Sequence, residues 1–348
     1  MNSDCTTTTL PASHPLFEDS TRIGVVRHLP AVLHEFGADL DDALASAGLR
    51  CDIFSDPDNA IEYPRLQRLL GACERLTQCD HIGFLVARRT RLADFGLAGR
   101  AAVCGATAGE GLLEFVAHFN LHVGATTVSL VTSGGYARLV YAISVHGITD
   151  ARQLQLGAVA AMFNILQDLL GRHWRPTVVS FASRAPSNLR PFHQFFRAPL
   201  RFDADESAVV VERHWLDRPL PPVDPAFRLQ VAAEVRERRA AILENLPAAV
   251  RRMVRNRLIV GQGAMDDVAA AFGVHRRTLD RHLDKHGVSY GKLVESVKED
   301  VARQLLRDTD MQVQQVAESL HFSSAANFAT AFRRWTGVTP SEFRRSAR

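Results

Sequence analysis

The stretch VAESLHFSSAANFATAFRRWTGVTPSEFR, residues 316–344, decides the fold of the C-terminal part of the chain. It has an upstream counterpart, VAAAFGVHRRTLDRHLDKHG, at residues 268–287. Apolar residues recur between the two stretches at an offset of 48 or 49: Val268 with Val316, Ala269 with Ala317, Leu279 with Phe328, and Leu283 with Phe332. Positions facing outward differ. The pattern predicts two helix-turn-helix motifs, in which the exposed side of the second helix faces the DNA major groove.

The first motif places arginines on the outer side of its second helix. Leu279 and Leu283 are predicted to point inward, with Gly273 in the turn and Phe272 in the core of the motif. The outward positions include Arg276, Arg277 and Arg281. Arginine is the commonest bidentate reader of guanine. A solvated charged helix face is the alternative, and the downstream repeat of the motif favours DNA contact.

The second motif carries shorter polar side chains. Its recognition helix offers Ser323, Ser324, Asn327, Thr330 and Arg333, which suit contacts to phosphate groups. Between the motifs, residues 290–307 follow helical spacing, and such a helix is about 27 Å long. DNA repeats every ~34 Å. The two recognition helices are therefore predicted to enter successive major grooves.

These residues resemble the signature of the AraC/XylS family of bacterial transcription regulators, over about residues 247–345. The resemblance implies binding to double-stranded promoter DNA, usually activation, and RNA polymerase as a partner. It also implies that Arg277 and Arg281 read bases, as do Ala326, Asn327 and Thr330 in the second motif. The family usually has glycine where this chain has His321. We therefore expect an altered turn in the second motif, because positive φ is strained for residues other than glycine.

Charge is distributed unevenly over the 348 residues. Residues 250–348 hold 17 Lys/Arg and 11 Asp/Glu, a net charge of +6, and the rest of the chain has a net charge of −3. A basic C-terminal part favours a polyanionic partner there. The five cysteines form no CxxC pair, and no apolar run is long enough for a membrane span. Together with the absence of a secretion signal, this predicts a cytoplasmic protein with no membrane contact.

The N-terminal part mixes helical and strand patterns. Residues 126–132 and 137–145 predict a hairpin around Gly134 and Gly135, and residues 153–170 predict a helix. Short β-branched runs at 177–181 and 208–212 predict further strands, with 201–205 pairing beside them. The expected fold is multidomain, with an α+β N-terminal sensor domain and an all-α C-terminal domain containing two helix-turn-helix motifs joined by a long helix. We place a disordered leader at 1–20, the sensor at 21–222, a connector helix at 223–246 and the DNA-binding domain at 247–348.

Residues 25–222 are similar, more weakly, to the N-terminal domain of a branch of the same family that includes ornithine-type regulators. The stretches LAGRAAVCGATAGEGLLEFVAHFNLH and LRFDADESAVVVERHWLDRPLP carry this similarity. It implies a sensor for a small-molecule effector and allows a homodimer. A sensor pocket should be apolar with a few polar groups. Candidate lining residues are Phe95, Arg100, His118, Arg138 and Tyr141. The alternative is that these five residues belong to the ordinary core and surface of the domain and contact no ligand.

Catalytic patterns are absent from the sequence. No GxSxG, GxxxxGK[ST] or GxGxxG motif occurs, and His118 and His122 stand four residues apart without an HExxH arrangement. We therefore expect neither an enzyme nor a bound metal or cofactor. A regulator controlled by a partner protein, with a filled N-terminal core and no small-molecule ligand, is the main alternative. An enzyme fused to a DNA-binding tail is the second.

Overall fold

The structure is a computed structural model that describes residues 20–122, 126–143, 148, 150–244, 246–258, 265–271, 275–309 and 311–346. The described chain divides into two compact units, one ending at Arg228 and the other beginning at Leu229. Residues 1–19 of the predicted leader, the predicted core residue Phe272 and the predicted turn residue Gly273 lie outside these ranges.

The N-terminal unit contains both helices and strands, which confirms its predicted α+β class. Its helices are α1 (Leu29–Glu35), α2 (Leu40–Ser46), α3 (Tyr63–Thr77), α4 (Ile82–Ala87), α5 (Gly96–Ala102), α6 (Ala108–His122), α7 (Arg152–Leu170) and α8 (Arg190–Phe196). Its strands are β1 (Ser20–Arg22), β2 (Ala60–Glu62), β3 (Thr126–Ser133), β4 (Tyr136–Ile143), β5 (Val178–Ser180), β6 (Leu200–Arg201) and β7 (Ser207–Glu212).

A five-stranded sheet in the order β3-β4-β7-β5-β6 forms the centre of this unit. The predicted hairpin is confirmed, because β3 and β4 pair antiparallel with Ser133 opposite Tyr136. Gly134 between them has a φ of +60°, the conformation that a two-residue turn requires. Strands β4, β7 and β5 continue the antiparallel pairing, and β6 adds to β5 in parallel. A separate two-stranded sheet joins β1 to β2.

Helix α7 is the predicted helix of residues 153–170, and Gly171 ends it with a φ of +86°. It packs closely against α4. A Cβ atom on Gly83 of α4 would lie 2.2 Å from the Gln153 carbonyl oxygen, so only glycine permits this approach. Leu66, Leu69, Leu70 and Cys73 of α3 are buried, whereas Leu76 in its last turn is 44% exposed.

A long helix, α9 (Pro225–Glu244), crosses the boundary between the units and lies within the connector predicted for residues 223–246. The C-terminal unit then contains α10 (Leu246–Leu258), α11 (Met265–Ala271), α12 (Arg276–Lys285), α13 (Tyr290–Asp308), α14 (Val313–Ser319), α15 (Ala325–Thr336) and α16 (Pro340–Ser346). The all-α prediction is confirmed. Among the described helices, none has the length and apolar character needed to cross a membrane.

Helix α13 is the predicted long helix between the two motifs, and it packs against α10, α14, α15 and α16. Its apolar residues Leu293, Val297, Val301 and Leu306 are buried, as helical spacing predicts. Both recognition helices, α12 and α15, are fixed by two fully buried side chains each: Leu279 and Leu283 in α12, Phe328 and Phe332 in α15. This burial determines which side of each recognition helix remains exposed.

Candidate DNA interface and ligand cavity

Helix α12 begins at a capped end. The His275 side chain accepts a hydrogen bond from the backbone N–H of Arg277 at 3.3 Å, which satisfies one unpaired donor of the first turn. The predicted readers Arg276, Arg277 and Arg281 are all exposed. Arg277 and Arg281 are four residues apart, on the side of α12 that faces away from the buried Leu279 and Leu283. Arg276 is three residues before Leu279 and lies at the edge of the buried side, in the first turn.

The three arginines differ in what they contact. The Arg276 guanidinium lies 3.6 Å from the Asp266 carboxylate, and both groups are largely exposed. In the part of the chain that the structure describes, no side-chain hydrogen bond or ion pair engages Arg277 or Arg281. Because a guanidinium has five donors and no acceptor, these two side chains present unfilled donors to an acceptor from outside the protein.

The turn of the second motif keeps a left-handed residue although glycine is missing. His321 has a φ of +57°, so the altered turn expected from the sequence is not observed. The backbone N–H of His321 donates to the Glu318 carbonyl at 2.9 Å, and that of Phe322 donates to the Ala317 carbonyl at 2.9 Å. These two bonds form a Schellman motif that ends α14. The local hydrogen bonds maintain the turn despite the cost of a Cβ atom at this φ.

Helix α15 has a more self-contained polar surface. Ser324 caps it by accepting from the Asn327 backbone N–H at 3.2 Å, and the Asn327 amide donates to Ser323 Oγ at 2.8 Å. The Thr330 hydroxyl donates to the Ala326 carbonyl at 3.0 Å. Arg333 is exposed. The polar groups predicted for this helix are thus brought together, but several of them bond to one another.

Glu295 of α13 fixes the orientation of α15, a role that the sequence did not reveal. Its carboxylate accepts a hydrogen bond from Trp335 Nε1 at 2.9 Å and pairs with Arg334. The Trp335 hydrogen bond and the neighbouring Arg334 charge lower the pKa of Glu295. One turn further, the Lys298 ammonium lies 4.6 Å from the centre of the Phe322 ring. A spacing of 39 or 40 residues between partners gives no periodic signal along the chain.

An apolar cavity of about 80 Å³ lies inside the N-terminal unit. Helices α3, α4, α6 and α7 contribute to its wall, as do strands β3 and β4. Of the five candidate lining residues, Phe95 and Tyr141 line this cavity. The described residues that line it include no charged side chain.

Arg100, His118 and Arg138 do not line this cavity. Arg138 lies on β4 and forms an ion pair with Glu206 at 2.9 Å. His118 is buried, with its Nε2 atom 3.2 Å from a Glu114 carboxylate oxygen. Arg100 lies on α5. Charged side chains are expensive to bury without a partner, so these residues pair or stay near the surface instead.

Two buried tyrosine hydroxyl groups form the polar end of the cavity, and the buried Thr126 hydroxyl lies beside them without lining it. Tyr63 and Tyr141 line it, and their hydroxyl oxygens are 3.2 Å apart. Tyr63 also donates to Thr126 Oγ1 at 3.4 Å. Burial raises the pKa of both tyrosines, so their hydroxyls stay protonated. Sequence reasoning found Tyr141 but missed Tyr63, which starts a helix 78 residues away.

Comparison with known proteins gives the same division of the chain. Residues 37–220 match the family described as the arabinose-binding domain of AraC transcription regulators, N-terminal, and residues 268–346 match a helix-turn-helix domain family. The chain belongs to the AraC family. It is a DNA-binding transcription regulator and not an enzyme.

Several relatives of this AraC family regulator match most of its length. The chain is 25% identical over 313 residues to the ornithine utilization regulator of Pseudomonas aeruginosa, covering 89% of this chain and 92% of that one. It is 28% identical over 351 residues to an uncharacterized HTH-type transcriptional regulator of Mycobacterium tuberculosis, covering 95% and 96%. Among solved structures, the transcriptional regulator CdpR from Pseudomonas aeruginosa is 20% identical, with a TM-score of 0.43 over 88% of this chain and 96% of that one.

Cys73 and His81 of this AraC family regulator belong neither to the recognition helices nor to the residues that line the cavity. The described residues contain no group of three or more His, Cys, Asp or Glu side chains that could hold a metal ion. Burial raises the pKa of the Cys73 thiol to about 12, which makes it unreactive. A hydrogen bond with Cys79, followed by one with the Asp80 carboxylate at 2.9 Å, raises the pKa of His81.

Proposed function

We propose that this AraC family regulator is a small-molecule-responsive transcription activator that reads two successive major grooves of double-stranded promoter DNA. We assign base reading to Arg276, Arg277 and Arg281, and we expect Arg277 and Arg281 to contribute most to the discrimination between bases. The observation that carries this assignment is that all three side chains are exposed, and that Arg277 and Arg281 have no carboxylate partner in the described chain. Arg276, which lies 3.6 Å from the Asp266 carboxylate, has the smaller part. Guanine presents two acceptors in the major groove, which match the paired donors of a guanidinium.

The second motif is proposed to hold the DNA backbone. Ser323, Ser324, Asn327, Thr330 and Arg333 are all exposed on one recognition helix. In the described bonds the Ser323 and Ser324 hydroxyls only accept, so their protons and the second N–H of the Asn327 amide can be donated to phosphate oxygens. The Thr330 hydroxyl donates its one proton to the Ala326 carbonyl and must break that bond to donate to a phosphate. Phosphate contacts fix the register without reading sequence. Helix α13, with 19 residues, is about 28 Å long. That length supports the spacing of two recognition helices on one face of DNA, whose repeat is ~34 Å.

The N-terminal unit is proposed as the sensor for a small-molecule effector. Its apolar cavity with two tyrosine hydroxyls supports this over control by a partner protein alone, which would be compatible with a filled core. The Pseudomonas relative is named for ornithine utilization. Ornithine itself is a poor match for this cavity, because its charged groups would meet no charged lining residue among those described.

Regulation then follows from a change in population between two states. An effector that binds one state of the sensor more tightly shifts the whole regulator toward that state. Membership of the family supports RNA polymerase as the partner in activation, a homodimer as one assembly and the cytoplasm as the place of action. We retain residues 21–222 as the sensor, 223–246 as the connector and 247–348 as the DNA-binding domain.

The test is DNA discrimination by matched variants. Arg281→Ala should weaken binding to the cognate promoter site by roughly 1–3 kcal/mol and relax base preference, with Arg277→Ala behaving alike. Arg307→Ala removes the same charge from an exposed position on α13, outside both recognition helices. It should leave the ratio between cognate and scrambled DNA unchanged. If Arg281→Ala also keeps that ratio, the readout assignment is wrong.

A further inference from the structure

The lining of the cavity in the N-terminal unit limits the chemical class of ligand that it can bind. We propose that it binds a small uncharged ring compound bearing one hydroxyl group, with that hydroxyl placed at Tyr63 and Tyr141. The proposal rests on the proposed function, since it names the chemical class of the effector.

The walls of the cavity favour an apolar ring. Phe95, Phe119, Ala158 and Ala161 pack against the core of the unit but are only half-buried. Apolar surface left uncovered inside a folded unit is a source of binding free energy, because covering it removes it from water. Two of the four side chains are aromatic rings, which stack well on another ring.

The volume of the cavity limits the ligand to one ring. The cavity measures about 80 Å³. A protein cavity of roughly 150 Å³ lined by Leu, Ile and Phe takes up benzene. The cavity described here has about half that volume, so a single ring enters only when the half-buried side chains move outward, and a fused double ring would require a still larger movement.

The polar end of the cavity favours a hydroxyl. Tyr63 is 3.2 Å from Tyr141 and 3.4 Å from Thr126, measured between hydroxyl oxygens. Ordinary O–H···O bonds are about 2.7–2.8 Å long, so these contacts are weak and leave bonding capacity unused. A hydroxyl both donates and accepts. Inserted beside the tyrosine pair, it completes bonds that the protein makes only loosely by itself.

A charged ligand is disfavoured by the rest of the lining. The Gln153 side chain is the other polar group at the wall, and its amide is occupied: Oε1 accepts from the Gly83 backbone N–H at 2.9 Å, while Nε2 donates to Glu74 at 2.7 Å and to the Asp80 carbonyl at 2.8 Å. Within the described lining, no side chain carries a charge. A carboxylate or ammonium would therefore lose its hydration without gaining a partner.

The experiment compares three probes on the full-length protein by titration calorimetry and thermal shift: phenol, toluene and benzoate. Phenol should bind and raise the melting temperature. Toluene should bind about three- to tenfold more weakly, because one hydrogen bond is missing. Benzoate should not bind. Phenol without effect, or benzoate binding as well as phenol, would overturn the proposal.

Two variants locate the probe. Tyr141→Phe should reduce phenol affinity to that of toluene, while Tyr136→Phe, an exposed position on the same strand, should leave phenol affinity unchanged. Ala158→Leu should abolish binding of both probes by filling the cavity without lowering the melting temperature of the free protein. Ala45→Leu, exposed on α2, is its control. Phenol binding that persists in Ala158→Leu would refute the site.

The DNA assay separates this proposal from the proposed function. It is run on the same full-length protein without any probe. If cognate DNA is still distinguished from scrambled DNA while phenol fails to bind, the ligand class is wrong and the DNA-binding assignment stands. If phenol binds to the wild-type protein and Arg281→Ala keeps its base preference, the ligand site stands and the readout assignment falls.

Discussion

The His321→Gly variant should have a more stable C-terminal unit than the His321→Ala variant, because the turn of the second motif already has the backbone conformation that glycine adopts at no steric cost. His321 has a φ of +57° and ends α14 through two hydrogen bonds of 2.9 Å. The bonds involve only backbone atoms, so both survive any change of side chain except proline. The experiment therefore compares His321→Gly with His321→Ala. Both variants lose the imidazole, and they differ only in the Cβ atom.

The expected difference between the two variants follows from opposing effects on the folded and unfolded states. A Cβ atom in the left-handed region costs roughly 1–2 kcal/mol. Glycine loses about 0.4–1 kcal/mol more backbone entropy on folding than alanine does. The glycine variant should thus exceed the alanine variant by about 1 kcal/mol in the free energy of unfolding. Contacts of the imidazole cancel in this comparison, because neither variant retains them.

Differential scanning calorimetry of the two full-length variants measures this difference. For a unit of this size, about 1 kcal/mol corresponds to roughly 4 °C in melting temperature. DNA affinity should be equal in the two variants, since the direction in which α15 leaves the turn is the same. An alanine variant as stable as the glycine variant would contradict a left-handed residue at this turn. It would restore the altered turn expected from the sequence.

Three further predictions concern the recognition helices and the sensor. Thr330→Ala should reduce affinity for cognate DNA less than Arg281→Ala does, because its hydroxyl already donates to the helix backbone; a quantitative footprint that ranks them the other way contradicts the assignment of roles. Gly83→Ala should destabilise the N-terminal unit by roughly 1–3 kcal/mol in urea unfolding, because its Cβ would overlap the Gln153 carbonyl. The hydrogen bonds that raise the pKa of His81 stabilise the folded protein while the imidazole is protonated. This stabilisation is complete below about pH 6.5 and is lost as the pH rises through the pKa of the folded state. The melting temperature of the wild type should therefore exceed that of His81→Gln by less at pH 8 than at pH 6.

The helical pattern of the C-terminal unit was predictable because its burial follows local periodicity. Leu279, Leu283, Phe328 and Phe332 recur at four-residue steps, and all four are buried as predicted. The hairpin of the N-terminal unit was predictable for the same reason, since its turn residues and alternating strands lie next to one another along the chain. Contacts such as Glu295 with Trp335 join residues 40 positions apart and have no such signature.

The ligand cavity was predictable in class but only partly in its residues. An apolar pocket with a few polar groups was expected, and Phe95 and Tyr141 do line one. Arg100, His118 and Arg138 were predicted as lining residues because a sensor pocket is expected to contain a few polar groups. Arg138 is instead paired with Glu206, and all three side chains lie outside the apolar cavity. The wall includes Gly157 and Ala158, small residues whose importance is the space that they leave, and a sequence does not show empty space.

The two motifs have the same pattern of buried residues, and we propose that they play different parts in DNA binding. The difference follows from the bonds that their exposed side chains already make. Arg277 and Arg281 have no internal acceptor in the described chain, so a base edge can engage them without breaking a bond. The Asn327 amide already donates to Ser323, and the Thr330 hydroxyl already donates to the helix backbone, so a DNA contact must share or replace these bonds. Discrimination between sequences requires that a wrong base leaves a donor unfilled. Free guanidinium groups meet that requirement more fully than hydroxyls with an internal partner, so the first motif should determine specificity and the second should add affinity.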